Sequence, residues 1–177
     1  MTLPDSAPGP IVRRATAADL PTIGHLGALL VEEHHAFDAR RFLAPRPRTP
    51  EDYASFIGRQ LEAPDSVVLV ADGNGDVIGY AFATIEGYDY MALRGPAGVL
   101  QDVIVAPEHR GFGVGRRLVA ATLAYLRSRG APRAVLSTAA RNGPAQRLFE
   151  SAGFRPTMIE MTRELDDAAP AAGEPWS

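Results

Sequence analysis

Arg110-Gly111-Phe112-Gly113-Val114-Gly115-Arg116-Arg117-Leu118 decides how this chain is read. Upstream stands Val99-Leu100-Gln101-Asp102-Val103-Ile104-Val105, β-branched and aliphatic, followed by Pro107, which stops a strand. Downstream, Leu118 and Tyr125, with a ridge of Val119, Leu123 and Leu126, recur at the spacing of one helical face, and Gly130 supplies the helix end. The glycines therefore occupy a strand-to-helix turn. Unpaired backbone N–H groups and the positive end of the helix dipole converge there, which makes an anion site suited to phosphate.

The spacing narrows the choice of phosphate ligand. A dinucleotide loop reads G-x-G-x-x-G, but counting from Gly111 and Gly113 the third position is Arg116. A P-loop needs G-x-x-x-x-G-K-[ST], and the chain has no lysine, all 18 basic residues being arginine. What remains, R-G-x-G-x-G after V-x-V-x-P, resembles the [QR]-x-x-G-x-[GA] motif of the GNAT family of acetyl-CoA-dependent N-acetyltransferases, matched by Arg110, Gly113 and Gly115. A second stretch, Asn142 to Phe154, resembles the family's N-x-x-A-x-x-L-[YF]-E-x-x-G-F. The resemblance covers residues 76–165.

Length and composition set the frame. With 177 residues, 46% of them apolar, one well-buried core is expected: a Pro-rich arm over 1–10, a single domain over 11–165 and an acidic Ala/Pro-rich tail over 166–177. Net charge is −3 and no long basic run occurs, so nucleic acid is not the expected partner. Without cysteine there is no disulfide, zinc-thiolate site or acetyl-cysteine intermediate; without lysine there is no Schiff base. No signal-like start and no apolar run near the ~18–20 residues of a membrane span are present, so the reading is cytoplasmic, with no membrane partner. A homodimer is left open.

Taken in order, Ile11-Val12-Arg13-Arg14 reads as an edge strand, and Thr16 with Asp19 as a capping box ahead of a helix ending near His35. Thr49-Pro50-Glu51-Asp52 opens a second helix, with Tyr53, Phe56, Ile57 and Leu61 as its buried stripe. Residues 67–71 and 77–85 form a hairpin about Asp72-Gly73-Asn74-Gly75; no helix follows those glycines, so they are a turn rather than a second phosphate loop. A short strand over 134–138, a helix opened by Pro144 and a last strand over 157–165 complete the order β-α-α-β-β-β-α-β-α-β. That order implies an α/β fold with a mixed sheet and helices on both faces, and it agrees with the GNAT fold.

The resemblance implies that the strands flanking the glycine-loop helix splay and admit the pantetheine arm of acetyl-CoA. Main-chain groups along Val103, Ile104 and Val105 would bond that arm, with Asn142 and Phe149 beside it. Arg110 and the amides of Gly111, Phe112, Gly113, Val114, Gly115 and Arg116 would take the pyrophosphate.

Acetyl transfer needs a neutral amine, whereas a lysine-like ammonium is only about one part in a thousand neutral at pH 7. Asp102, a lone acid in an apolar strand, is the first candidate for the proton acceptor, and Glu86 the second; the alternative for Asp102 is a solvated side chain or the acceptor that fixes a bulge. His34 and His35 adjoin Glu32 and Glu33, but neighbouring helical residues point about 100° apart and no H-E-x-x-H occurs, so a place in the acceptor pocket is favoured over metal ligation. Acids at 32, 33, 38, 86 and 89 are candidates to attract a cationic acceptor. Phe149 departs from the tyrosine that many family members use to protonate the leaving thiolate; Tyr125, Ser137 or water could replace it. Two readings stay open: an enzyme acetylating a primary amine by direct attack, and an acyl-CoA-binding module without turnover.

Overall fold

The computed structural model describes residues 9–165, so the expected tail and all of the expected arm except Gly9 and Pro10 lie outside the described residues. Five strands, β1 (Ile11–Arg14), β2 (Ser66–Gly73), β3 (Asp76–Glu86), β4 (Ala97–Val105) and β5 (Ala134–Leu136), form one sheet in sequence order. Neighbours are antiparallel except β4 and β5, which run parallel. The helices are α1 (Leu20–Phe37), α2 (Thr49–Leu61), α3 (Val114–Ser128) and α4 (Gly143–Ser151).

Alternation along the strands divides the core into two. Val67, Leu69 and Ala71 of β2 face Leu118, Val119 and Leu126 of α3, while Val68 and Val70 face Ile23 and Leu26 of α1 and Ile57 of α2. Successive strand side chains point to opposite faces, so a continuous apolar run is what a strand covered by helices on both sides requires. On the α1 side the helices approach closely because Gly27 has no side chain: a Cβ there would lie 2.1 Å from the Tyr53 ring.

The capping box forms, and it does more than cap. The Asp19 carboxylate accepts from the Thr16 N–H at 2.7 Å and its hydroxyl at 3.0 Å, and two Arg13 nitrogens reach it at 2.9 Å. Arg13 also donates to Asp72 at 3.0 Å, tying β1 to the end of β2 and to the entry of α1. The Arg13 guanidinium holds the buried Asp19 down at about 2.

One expected element is not formed. Residues 157–165 carry no strand pairing among the described residues. β5 is only three residues long, so no extended edge stands beside them; instead Glu160 pairs with Arg41 and Glu164 with Arg40 at 3.5 Å, fastening the segment to the chain after α1.

Candidate active site

The glycine stretch folds as its spacing predicts. Gly111 and Gly113 both have φ +82°, the left-handed region that glycine enters without a Cβ clash, and Gly113 is the N-cap of α3. The N–H groups of residues 111 to 116 have no acceptor among the described residues, whereas that of Arg117 is taken by the Gly113 carbonyl at 3.1 Å. Six donors at a helix start are a ready seat for a diphosphate. Gly115 has a second role: a Cβ there would press on Leu148 at 3.2 Å, so it sets the contact between α3 and α4.

Arg110 behaves differently from its neighbours. Its Nε donates to the Val105 carbonyl at 2.8 Å and its Nη2 to Glu33 at 2.6 Å. The side chain thus braces the glycine turn against α1.

Beside this turn the sheet opens. β4 and β5 pair only from Gly98–Ala134 to Leu100–Leu136; beyond that they part around a cavity of about 250 Å³. Its walls include Asp102 and Val103 of β4, Ser137 and Thr138 after β5, Asn142 and Phe149 of the α4 region, and His34 of α1. Val105 and Ile104 are not in the lining, and Ile104 is buried in the α1-side core. Asn142 Oδ1 accepts from the Ala145 N–H at 3.1 Å, capping α4. Gln146 donates to the Ala139 and Ala140 carbonyls at 3.0 Å, and Arg141 to the Phe37 carbonyl at 2.8 Å, so the far wall is held to α1.

A β-bulge brings Asp102 into this cavity. The register runs Phe82–Asp102 and then Ala83–Leu100, skipping Gln101. Without the extra residue Leu100 and Asp102 would share a face; with it Leu100 enters the α3-side core while Asp102 turns toward α1 and α2. Tyr53 and Tyr80 both donate to Asp102 Oδ2, the second at 3.1 Å. Burial pushes the Asp102 carboxyl above the usual range; the two hydroxyls and the nearby His34 partly oppose that rise. Burial, then the neighbouring carboxylate, push both tyrosines upward, so they remain donors. Sequence reasoning missed Tyr53 and Tyr80 as partners; the small residue at 27, facing position 53, was the available clue.

Glu86 is placed elsewhere. It is ion-paired with Arg94, accepts from Thr84 at 2.9 Å and Gln101 at 3.0 Å, and is absent from the cavity lining. The other acids do not form a cradle either: Glu33 serves Arg110, Asp38 accepts from the N–H groups of Arg40 and Arg41, and Asp89 caps its own turn beside Arg94. Tyr125 donates to the Ser66 carbonyl at 3.4 Å and accepts from Arg129 at 2.6 Å, outside the lining. Of the paired histidines, His34 lines the cavity, whereas His35 Nδ1 meets the Phe42 carbonyl at 3.2 Å.

The model of the acetyltransferase (GNAT) family matches residues 28–154, most of the chain and both motif stretches. A mycothiol acetyltransferase of Acidothermus cellulolyticus is 37% identical over 132 residues, 68% of this chain and 40% of that protein. A streptothricin acetyltransferase of Streptomyces lavendulae is 33% identical over 98 residues, 55% and 49% of the two chains. The chain thus spans half or less of the length of these two relatives. In architecture it is similar to an aminoglycoside N-acetyltransferase, AAC(6')-Iy, solved with CoA, at TM-score 0.70 and 19% identity, covering 93% of this chain and 99% of the other. A tetramutant of the BH1408 protein from Bacillus halodurans superposes at TM-score 0.76 with 23% identity, covering 88% and 99%. No described helix is long and apolar enough to cross a membrane.

Proposed function

This chain belongs to the acetyltransferase (GNAT) family, and on that premise we propose that it moves an acetyl group from acetyl-CoA to a primary amine by direct attack. The observation that carries this reading is Asp102: a half-buried carboxylate in the wall of a cleft that opens beside six N–H groups with no acceptor among the described residues. The pyrophosphate of acetyl-CoA sits on the amides of residues 111 to 116 and its pantetheine arm passes between β4 and β5, along Val103 and past Asn142. Both features suit the ligand, since the turn offers donors at a helix start and the cleft exposes strand backbone that no described strand pairs.

Asp102 takes the proton that an incoming ammonium must lose. A carboxylate raised by burial is a stronger base than an ordinary one, and the two tyrosine hydroxyls hold Oδ2 fixed. The neutral nitrogen then adds to the thioester carbonyl carbon and coenzyme A leaves as the thiol. No cysteine is available to hold the acetyl group, so one ternary complex contains both substrates.

Thiol release from acetyl-CoA, measured against an alkyl diamine, an aminoglycoside, an amino sugar and an α-amino acid, tests the reading. Stimulated release with intersecting double-reciprocal lines is expected. Parallel lines, or an acetyl adduct on the protein after acetyl-CoA alone, would overturn direct attack. CoA binding without release for any amine would instead favour a binding module, which the missing hydroxyl at Phe149 would suit.

A further inference from the structure

Asp102 accounts for the proton that leaves the ammonium, but the reaction moves a second one. When a neutral amine has added to the thioester, the nitrogen carries a surplus proton while the departing sulfur lacks one. Phe149, on the α4 wall, offers no proton. The hydroxyls of Ser137 and Thr138 lie in the same lining, but an alcohol exchanges a proton near neutral pH only through a partner. The remaining ionisable side chain in the lining, besides Asp102, is His34.

The ring of His34 is held in one state of bonding. Its Nδ1 stands 2.8 Å from the Leu30 carbonyl oxygen. A carbonyl can only accept, so Nδ1 carries a hydrogen, and the lone pair of the neutral ring is left on Nε2. Among the described residues no group bonds Nε2. Edge-on contacts with Phe37 at 5.9 Å and Phe42 at 5.1 Å between ring centroids pack the imidazole on its apolar sides. An anchored Nδ1 and an unpartnered Nε2 in a cavity wall are the features of a group that exchanges protons with a bound molecule.

We infer that His34 is the proton carrier of the cleft: Nε2 takes the surplus proton of the attacking nitrogen and delivers it to the coenzyme A sulfur. This role presupposes the acetyl transfer proposed above. The amine nitrogen forms the C–N bond and the carbonyl electron pair moves to oxygen; Nε2 then accepts one proton from that nitrogen. As the carbonyl re-forms, the C–S bond breaks with its pair on sulfur, and the imidazolium gives the same proton to the thiolate. Amide and thiol leave neutral, and His34 returns to its starting form. The charged and titratable groups around the ring are Asp102 on β4, with Tyr53 and Tyr80 behind it, Glu33 and His35 on α1 itself, and Arg41, whose guanidinium lies over Phe42.

His34→Asn tests the role while keeping an amide that can donate to the Leu30 carbonyl. The variant is expected to lose about 10²-fold in kcat with its best amine and to bind CoA within about twofold of wild type by calorimetry. Adding Phe149→Tyr to that variant should restore at least about tenfold, because a phenol on the opposite wall can supply the sulfur's proton. A wild-type rate in His34→Asn would overturn the carrier while leaving acetyl transfer intact; an inactive wild type would overturn both. Nitrogen-15 shifts of the wild-type ring give a second test that needs no variant to fold: hydrogen on Nδ1 is expected, and hydrogen fixed on Nε2 with a bare Nδ1 would overturn the assignment.

Discussion

The candidate site has two walls, the glycine turn and the packed side of the adjoining cleft, specified at different ranges. On one side, a single string of residues from Arg110 to Leu118 builds the turn, with two left-handed glycines and a helix start contributing consecutive N–H groups. On the other side, the polar groups brought together come from His34 on α1, Tyr53 on α2, Tyr80 on β3 and Asp102 on β4. The first wall depends on local backbone conformation, so a substitution at its open glycines, 111 or 113, should act chiefly on ligand binding. The second depends on packing, so one methyl group placed far along the sequence can reach the reacting atoms.

The sharpest way to separate the walls is Asp102→Asn. It should lower kcat about 10²-fold, equivalent to about 2.7 kcal/mol of activation free energy, while CoA affinity measured by calorimetry stays near wild type. In the wild type the rate should fall as pH drops and Asp102 gains its proton, with that limb above the ordinary carboxylate range because burial favours the neutral acid. The limb should vanish in the variant. An unchanged profile would remove Asp102 from proton transfer.

Gly27→Ala should break the packed wall without replacing any of its ionisable groups. Its Cβ would meet the Tyr53 ring at 2.1 Å, so the ring must shift and draw its hydroxyl away from Asp102. Overpacking of this kind costs about 1–3 kcal/mol, readable as a lower urea midpoint, and kcat should fall with it. Wild-type stability would mean that α1 and α2 can separate freely, and the comparison would lose its physical basis.

The local wall is broken by Gly113→Glu, which forces a side chain into a left-handed position and sets a carboxylate where the proposed function seats the phosphates. CoA affinity should fall at least about tenfold, or about 1.4 kcal/mol, through binding rather than chemistry. Unchanged affinity by calorimetry would move the diphosphate elsewhere.

The smallest effect is expected outside both walls, at the entry to α1. Asp19 has an ordinary value of 3.8 and is lowered to about 2, chiefly by Arg13. A depressed acid stabilises the fold above its unfolded value and loses that contribution as pH falls through its folded one. Asp19→Asn should therefore cost about 1 kcal/mol at pH 7, and the difference from wild type should shrink between pH 3.8 and about 2 in acid-unfolding curves. A gap that persists below that window would assign the effect to packing instead of charge.

Much of the fold follows from sequence periodicity because that periodicity is a local property. The hairpin, the four helices and the glycine turn all depend on contacts within a few residues, and each was legible as spacing or as a cap. The stretch 157–165 shows the limit. Its composition suits a strand, yet a strand exists only beside another, and the three-residue β5 gives it no extended edge.

By itself, then, the sequence determined the glycine turn, the order of elements up to α4 and the lack of a thiol or lysine amine for covalent chemistry, since a missing residue type or a glycine at a fixed offset needs no partner to have its effect. Only the tertiary structure decided which acid and which histidine face the cleft. The skipped residue Gln101 rotates Asp102 toward Tyr53 and Tyr80, Arg94 claims Glu86, and the helical step between His34 and His35 turns one ring into the cavity and the other toward the Phe42 carbonyl. Side-chain direction at a bulge, and competition for a carboxylate by a distant arginine, are set by neighbours that adjacent residues in the chain do not name.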